Sequence, residues 1–121
     1  MTDTDLAVTE HLPLTSVEFE IMLAVADRER HGYGIILDVE HRTGGAVRLR
    51  PGTLYRALNR MLESGFLRET LERPDPEIDD QRRRYYQLTA LGRRVAAAEA
   101  ERLAVAVKNA RAKNLLHGRH A

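Results

Sequence analysis

Arg50-Pro51-Gly52-Thr53-Leu54-Tyr55-Arg56-Ala57-Leu58-Asn59-Arg60-Met61-Leu62-Glu63-Ser64-Gly65 is the stretch on which the fold turns. It reads as one helix with both ends marked. Pro51 suits the first helical turn, where its fixed φ fits and no backbone donor is lost. Gly65 suits the exit, where the chain leaves in a left-handed conformation. Between them Leu54, Leu58, Met61 and Leu62 follow i, i+4, i+7, i+8 spacing and make one apolar stripe. Thr53, Tyr55, Arg56, Asn59 and Arg60 occupy the other face. Arg, Asn, Thr and Tyr on a short helix can contact phosphates and read base edges. Taken alone, the same face is also what any solvated amphipathic helix shows.

Around this helix the composition describes one soluble domain. The chain has 121 residues, 43% of them apolar and 31% charged, enough for a core but only marginally self-sufficient. No run approaches the ~20 apolar residues of a membrane span, and the acidic, polar start MTDTDLAVTEH does not read as a secretory signal. There are no cysteines, which excludes disulfides and thiolate chemistry and fits a cytoplasmic protein. A formal charge of +1 conceals an asymmetry. Residues 1–81 hold 9 Arg/Lys against 16 Asp/Glu, a net of −7; residues 82–121 hold 10 against 2, a net of +8. Such a division points to a polyanion partner near the second part, or to an ion-pair network between subunits.

Residues 1–14 lack periodicity. Residues 1–11 read as a flexible arm, with Leu12, Pro13 and Leu14 leading into the fold. Thr15 opens a helix: Thr15 and Glu18 have capping-box spacing, and Leu14 and Phe19 can staple across the cap. Phe19, Ile21, Met22, Leu23, Val25 and Ala26 make that helix broadly apolar until it ends near Asp27–Glu29. His31-Gly32-Tyr33-Gly34 suits a tight turn into a second helix, Tyr33–Arg42, with Ile35, Ile36 and Val39 inward and Asp38, Glu40 and His41 outward. Gly44-Gly45 stops it. GYG is too short for a phosphate loop and no P-loop lysine follows. Residues 46–49 lead as a short strand or connector into the helix quoted above.

After Gly65, residues 66–73 alternate in their later part as a strand should. Pro74–Gln81 is a polar loop with two prolines, and Arg82–Leu88 resumes as a second strand, giving an open hairpin. Thr89 caps a last helix running from Leu91 to about Lys113, rich in Ala, Arg, Glu and Leu. At roughly 1.5 Å per residue it spans about 35 Å, more than so small a domain can cover. Ala96, Ala100, Leu103, Val107 and Ala110 recur along it at coiled-coil-like spacing. A surplus seam calls for a partner, and a second copy of the chain is the nearest. Residues 114–121 form a tail.

Three short helices, a two-stranded hairpin and a long helix are the order of a winged helix-turn-helix, a mainly α fold of α+β type. In that fold the second and third helices dock on the duplex, and the third enters the major groove. The hairpin is the wing. Arg82, Arg83 and Arg84 stand at its end and suit phosphate or minor-groove contact, or else balance Asp75, Glu77, Asp79 and Asp80 in the loop. Of Tyr85 and Tyr86, one ring belongs in the core. His11, His31, His41, His117 and His120 do not form a metal set. The acidic loop lacks the glycine and terminal glutamate of a calcium loop. No nucleophile, base and orienting group come together, so neither an enzyme nor a cofactor is expected.

Leu14–Leu23 (LTSVEFEIML), His31–Gly34 (HGYG), Pro51–Leu58 (PGTLYRAL) and Arg82–Gly92 (RRRYYQLTALG) resemble, in order and spacing, the PadR-like transcriptional regulators. The likeness covers nearly all of residues 12–113. It implies a winged-helix domain over 12–88, a dimerisation helix over 89–113 and no added multi-helix domain. It further implies a homodimeric repressor that binds palindromic operator DNA and is released by a small, often aromatic, inducer. Carried over by motif, Tyr33 on the second helix, Thr53, Tyr55, Arg56, Asn59 and Arg60 on the third, and Arg82–Arg84 in the wing fall where the family meets DNA. Some short members line an interfacial pocket with tryptophan; this chain has none, which argues for a smaller ligand or no ligand. The rival readings are a winged helix used for protein–protein contact without specific DNA binding, and a small enzyme or metal sensor on the same scaffold.

Overall fold

The computed structural model describes residues 3–72 and 83–117. In chain order it contains α1 (Asp3–Thr9), α2 (Ser16–Ala24), β1 (Arg30–His31), α3 (Gly32–Arg42), α4 (Pro51–Glu63), β2 (Leu67–Glu72), β3 (Arg83–Leu88) and α5 (Ala90–Ala112).

Local chemistry sets the helix ends. At α2 the Glu18 amide donates to Thr15 Oγ1 at 3.1 Å and the Thr15 amide donates to Glu18 Oε1 at 3.0 Å, a reciprocal capping box. Pro51 is the first residue of α4, which has no side-chain cap. At the other end of α4 the Gly65 amide donates to Leu62 and the Phe66 amide to Met61, at 3.1 and 2.9 Å. Gly65 makes that 6→1 closure feasible because its φ is +81°. The closures of α3 (Gly45 amide to Glu40, 2.9 Å) and α5 (Leu115 amide to Ala110, 2.9 Å) follow the same scheme.

The helices enclose one core. Ile21, Met22 and Val25 from the first helix of the motif, Ile35 and Val39 from α3, Leu54, Leu58 and Met61 from α4, and Val95 from α5 are fully buried. Ala57 is buried beside them, while Leu62 is half-buried. The inward stripe of α4 is therefore the expected 54, 58, 61 with Leu62 packed at its edge, widened by Ala57 on the other side. β2 and β3 pair antiparallel from Leu67↔Leu88 to Glu72↔Arg83. The expected loop 74–81 and Arg82 lie outside the described residues.

Three features depart from the sequence reading. The arm carries α1, whose Val8 is buried and which packs on α5. Seven residues are too few to display a period, so this helix owes its place to that contact rather than to propensity. The sheet has three strands in the order β1-β3-β2, because Arg30 and His31 pair with Tyr86 and Tyr85. A two-residue strand carries no alternation to read. Asp38, expected outward, is mostly covered and lies between two arginines, Arg30 at 3.3 Å and Arg42 at 2.6 Å.

Candidate nucleic-acid interface

α3 and α4 are the pair that a helix-turn-helix presents to a duplex, and α3 is fixed on α2 and β1 by polar as well as apolar contacts. Arg42 donates to Glu20 Oε1 at 2.9 Å, to the Glu20 carbonyl at 3.0 Å and to Asp38 at 2.6 Å. Burial lowers the Arg42 pKa, but the hydrogen bonds to Asp38 and Glu20 outweigh it and raise it overall. Arg30 reaches Asp38 and also donates to the Ala24 carbonyl at the end of α2. This chain of charges ties α2, β1 and α3 together. His31 caps α3: its Nδ1 accepts from the Gly34 amide at 3.1 Å, so the cap works with neutral imidazole.

On α4, Tyr55, Arg56, Asn59 and Arg60 are exposed and Thr53 is half-buried. Tyr33, next to the start of α3, is 63% exposed. Arg56 Nη1 lies near Gly52, 3.5 Å from where a Cβ would stand, so its guanidinium turns back over the first turn of α4. That turn contains no acidic side chain, leaving the positive end of the helix dipole unneutralised. Arg48 and Arg50, exposed on the approach to α4, were not singled out from the sequence. The signal was present in the Arg-Leu-Arg-Pro run, where alternation about buried Leu49 turns both arginines outward.

The wing is legible only in part. Arg84 is exposed and faces Glu69 of the neighbouring strand at 3.7 Å, a long surface pair of little energetic weight. Among the described residues its carboxylate partner is on β2; the acidic loop lies outside them. Arg83 sits opposite Glu72 in the register. Tyr86 is buried, and burial first, then the charge of Glu69, raises its phenol pKa. Tyr85 is half-buried with its ring edge-on to His31, centroids 5.4 Å apart. At the base of the wing Gln87 joins Arg68 (2.9 Å) to Glu29 (3.0 Å).

α5 is held at its start by Thr89, whose Oγ1 accepts from the Gly92 amide at 2.9 Å. Gly92, Val95 and Glu99 are its buried residues. Of the expected seam, Ala96 packs half-buried against the core, Leu103 and Ala110 are half-buried, and Ala100 and Val107 are exposed. Val105 is exposed too. Glu99 is 2% exposed; it accepts two hydrogen bonds from Arg102, at 2.9 and 2.7 Å, and one from the Leu14 amide at 3.4 Å. The Arg102 hydrogen bonds hold its carboxyl below the usual carboxylate range against the opposing effect of burial, and the Leu14 amide adds to them. Among the described residues no group of His, Asp and Glu is placed to hold a metal, and no helix is long and apolar enough to cross a membrane.

Comparison with known proteins agrees with this architecture. A protein from Lysinibacillus sphaericus of uncharacterised function is 27% identical over 74 residues, covering 60% of this chain and 64% of that protein's own length. A PadR family regulator from Clostridium difficile superposes with a TM-score of 0.67 at 21% identity, over 80% of this chain and 96% of the other. A transcriptional regulator from Clostridium thermocellum gives 0.66 at 19% identity, over 89% and 93%. A Bacillus subtilis PadR solved in complex with operator DNA gives 0.62 at 17% identity, over 71% of this chain but 47% of that longer one. These likenesses carry the fold. The model of the transcriptional regulator PadR-like family, whose members are regulators rather than enzymes, matches residues 21–98, well over half of the sequence. The match runs from the buried Ile21 of α2 through the exposed face of α4 and the wing into α5, and by it this chain belongs to the PadR-like family of transcriptional regulators.

Proposed function

We propose that the protein is a homodimeric repressor that binds a palindromic operator and leaves it when a small molecule binds between the subunits. The observation that carries this reading is the outward face of α4. Arg56, Asn59 and Arg60, with Thr53 and Tyr55 beside them and Tyr33 of α3 at the rim, combine phosphate-binding and base-reading chemistry on a helix anchored from behind by Leu54, Ala57, Leu58 and Met61. Arg82, Arg83 and Arg84 supply positive charge from the wing. The operator complex of the Bacillus subtilis PadR supports the same docking on a shared fold. Pairing through the far half of α5, around Ala100, Leu103, Val107 and Ala110 with Ala96 at its near end, sets two α4 helices about one DNA turn apart, ~34 Å. A ligand wedged between paired helices would change that spacing and weaken half-site registry.

The test is a selection of bound duplexes from a random pool, followed by gel shifts over a salt series. An enriched sequence with dyad symmetry, bound more weakly as salt rises, is expected. Arg56→Ala should then weaken the selected duplex more than a scrambled one if Arg56 reads a base. An absent or salt-insensitive shift would favour a protein-contact module instead, and a monomer at micromolar concentration in sedimentation would refute the seam.

A further inference from the structure

Gly32 opens α3, and the space a side chain would take there is filled from α4. A Cβ placed on Gly32 would overlap the Tyr55 hydroxyl oxygen and stand 2.9 Å from Cζ and 3.3 Å from Cε1 of the same ring. The phenol thus lies against backbone at the first residue of α3, although Tyr55 as a whole is 47% exposed. Gly32 itself is buried, and its φ is not left-handed. Nothing in the backbone asks for glycine, and alanine is the better helix former. The ring is the reason. The neighbouring residue, His31, caps α3, belongs to β1 and pairs with Tyr85 of β3. Tyr55 therefore seats where the wing sheet, α3 and α4 meet.

We infer that Tyr55 is a positioning residue: its ring, seated in the socket that Gly32 leaves open, sets the angle at which α4 is offered beside α3 and the wing. The inference rests on the DNA reading above and adds to it. A hydroxyl that merely touched a phosphate would need no socket, and a ring that merely filled the core would not be half exposed. The seat also explains why the aromatic residue stands near the start of α4, one residue before Arg56. Rotating or tilting α4 about that end displaces Arg56, Asn59 and Arg60 together, because all three ride on the same rigid helix.

Four proteins test it: Gly32→Ala, Tyr55→Phe, Tyr55→Ala and the double variant Gly32→Ala/Tyr55→Ala. In the free protein, NMR should show the Gly32 Hα resonances displaced by the Tyr55 ring current, unchanged in Tyr55→Phe and returned toward ordinary values in Tyr55→Ala. On the duplex selected by the wild type, Gly32→Ala and Tyr55→Ala should each bind about tenfold more weakly. The double variant should be no more than about twofold worse than either single one, since both remove one contact. Tyr55→Phe, which keeps the ring, should stay within about threefold of wild type. Thermal unfolding checks that Gly32→Ala folds, as it should because a half-exposed ring can swing aside; if it does not, the two Tyr55 variants and the Gly32 resonances decide. Binding by Gly32→Ala equal to wild type overturns the inference. So do Gly32 resonances indifferent to Tyr55→Ala, or a Tyr55→Phe as weak as Tyr55→Ala with a salt slope shallower by about one, which would make the hydroxyl a phosphate contact. A wild type that enriches no sequence overturns the DNA reading, while the resonances still judge the seat.

Discussion

Replacing Gly92 with alanine should loosen the whole attachment of α5. A Cβ there would overlap the Phe66 carbonyl oxygen and come within 2.8 Å of its carbon and 3.1 Å of Phe66 Cα. These are backbone atoms, so no side chain can swing out of the way. The Phe66 carbonyl is itself fixed from two sides. It accepts from the Thr89 amide at 3.0 Å, and the Phe66 amide is committed to Met61 at 2.9 Å in the turn that ends α4. Thr89 Oγ1 adds a bond to the Gly65 carbonyl. The new methyl group must therefore push α5 away, straining the Thr89 bond and lifting Val95 from the core. Overpacking of this kind costs about 1–3 kcal/mol, and a lost hydrogen bond about 1 kcal/mol more. Alanine's helix preference returns at most about 1 kcal/mol, less near an N-terminus. The net is about 1–4 kcal/mol, or a fall in Tm of roughly 3–20 °C for a domain of this size. Helical circular dichroism followed on heating, at matched protein concentration because subunit association would move Tm, measures it directly. A Gly92→Ala protein melting within about 2 °C of wild type would refute the close-approach argument.

Two further outcomes follow from buried charge. Glu99 has a folded pKa below its unfolded one, so its contribution is present above the ordinary carboxylate range and disappears as pH falls through the lowered value. Glu99→Gln should cost about 1 kcal/mol near neutrality, and the gap to wild type in urea titrations should close on acidification; a gap constant from neutral pH down to about pH 3 would rule out the linkage. Asp38→Ala should cost about 2 kcal/mol, since it removes the acceptor shared by Arg30 and Arg42 where all three side chains are largely covered. Asp38→Asn, which keeps the shape and one acceptor oxygen but not the charge, should lose less, and equal losses for the two variants would show that the charge of the carboxylate, and not the retained oxygen, holds α3 to α2.

Much of this fold was legible because its punctuation is local. Thr15 with Glu18, Pro51 with Gly65, and Thr89 all act within four residues of one another or of a helix end, and the stripe of α4 repeats at the helical period. The outward face of α4 came with it, as the complement of that stripe. What escaped depends on residues far apart in the chain. The Leu14 amide meets Glu99 across 85 positions; α1 is placed by α5; β1 exists because Tyr85 and Tyr86 pass beside it. Asp38 looked solvent-facing because its helical position is peripheral, and no local pattern announces the two arginines that converge on it. Tyr55 was legible as a surface residue but not as a seated one. Yet the long-range contacts do leave one local trace. Among the glycines in the first turns of helices, Gly34 and Gly52 would meet a Cβ only at ordinary contact distances, 3.6 and 3.5 Å from side-chain atoms. Gly32 and Gly92 would not: one receives the Tyr55 ring, the other the Phe66 carbonyl. Neither has a left-handed φ, so in both the missing side chain is space taken by another element, and alanine scanning of these four glycines should separate the two sockets from the two tolerant positions.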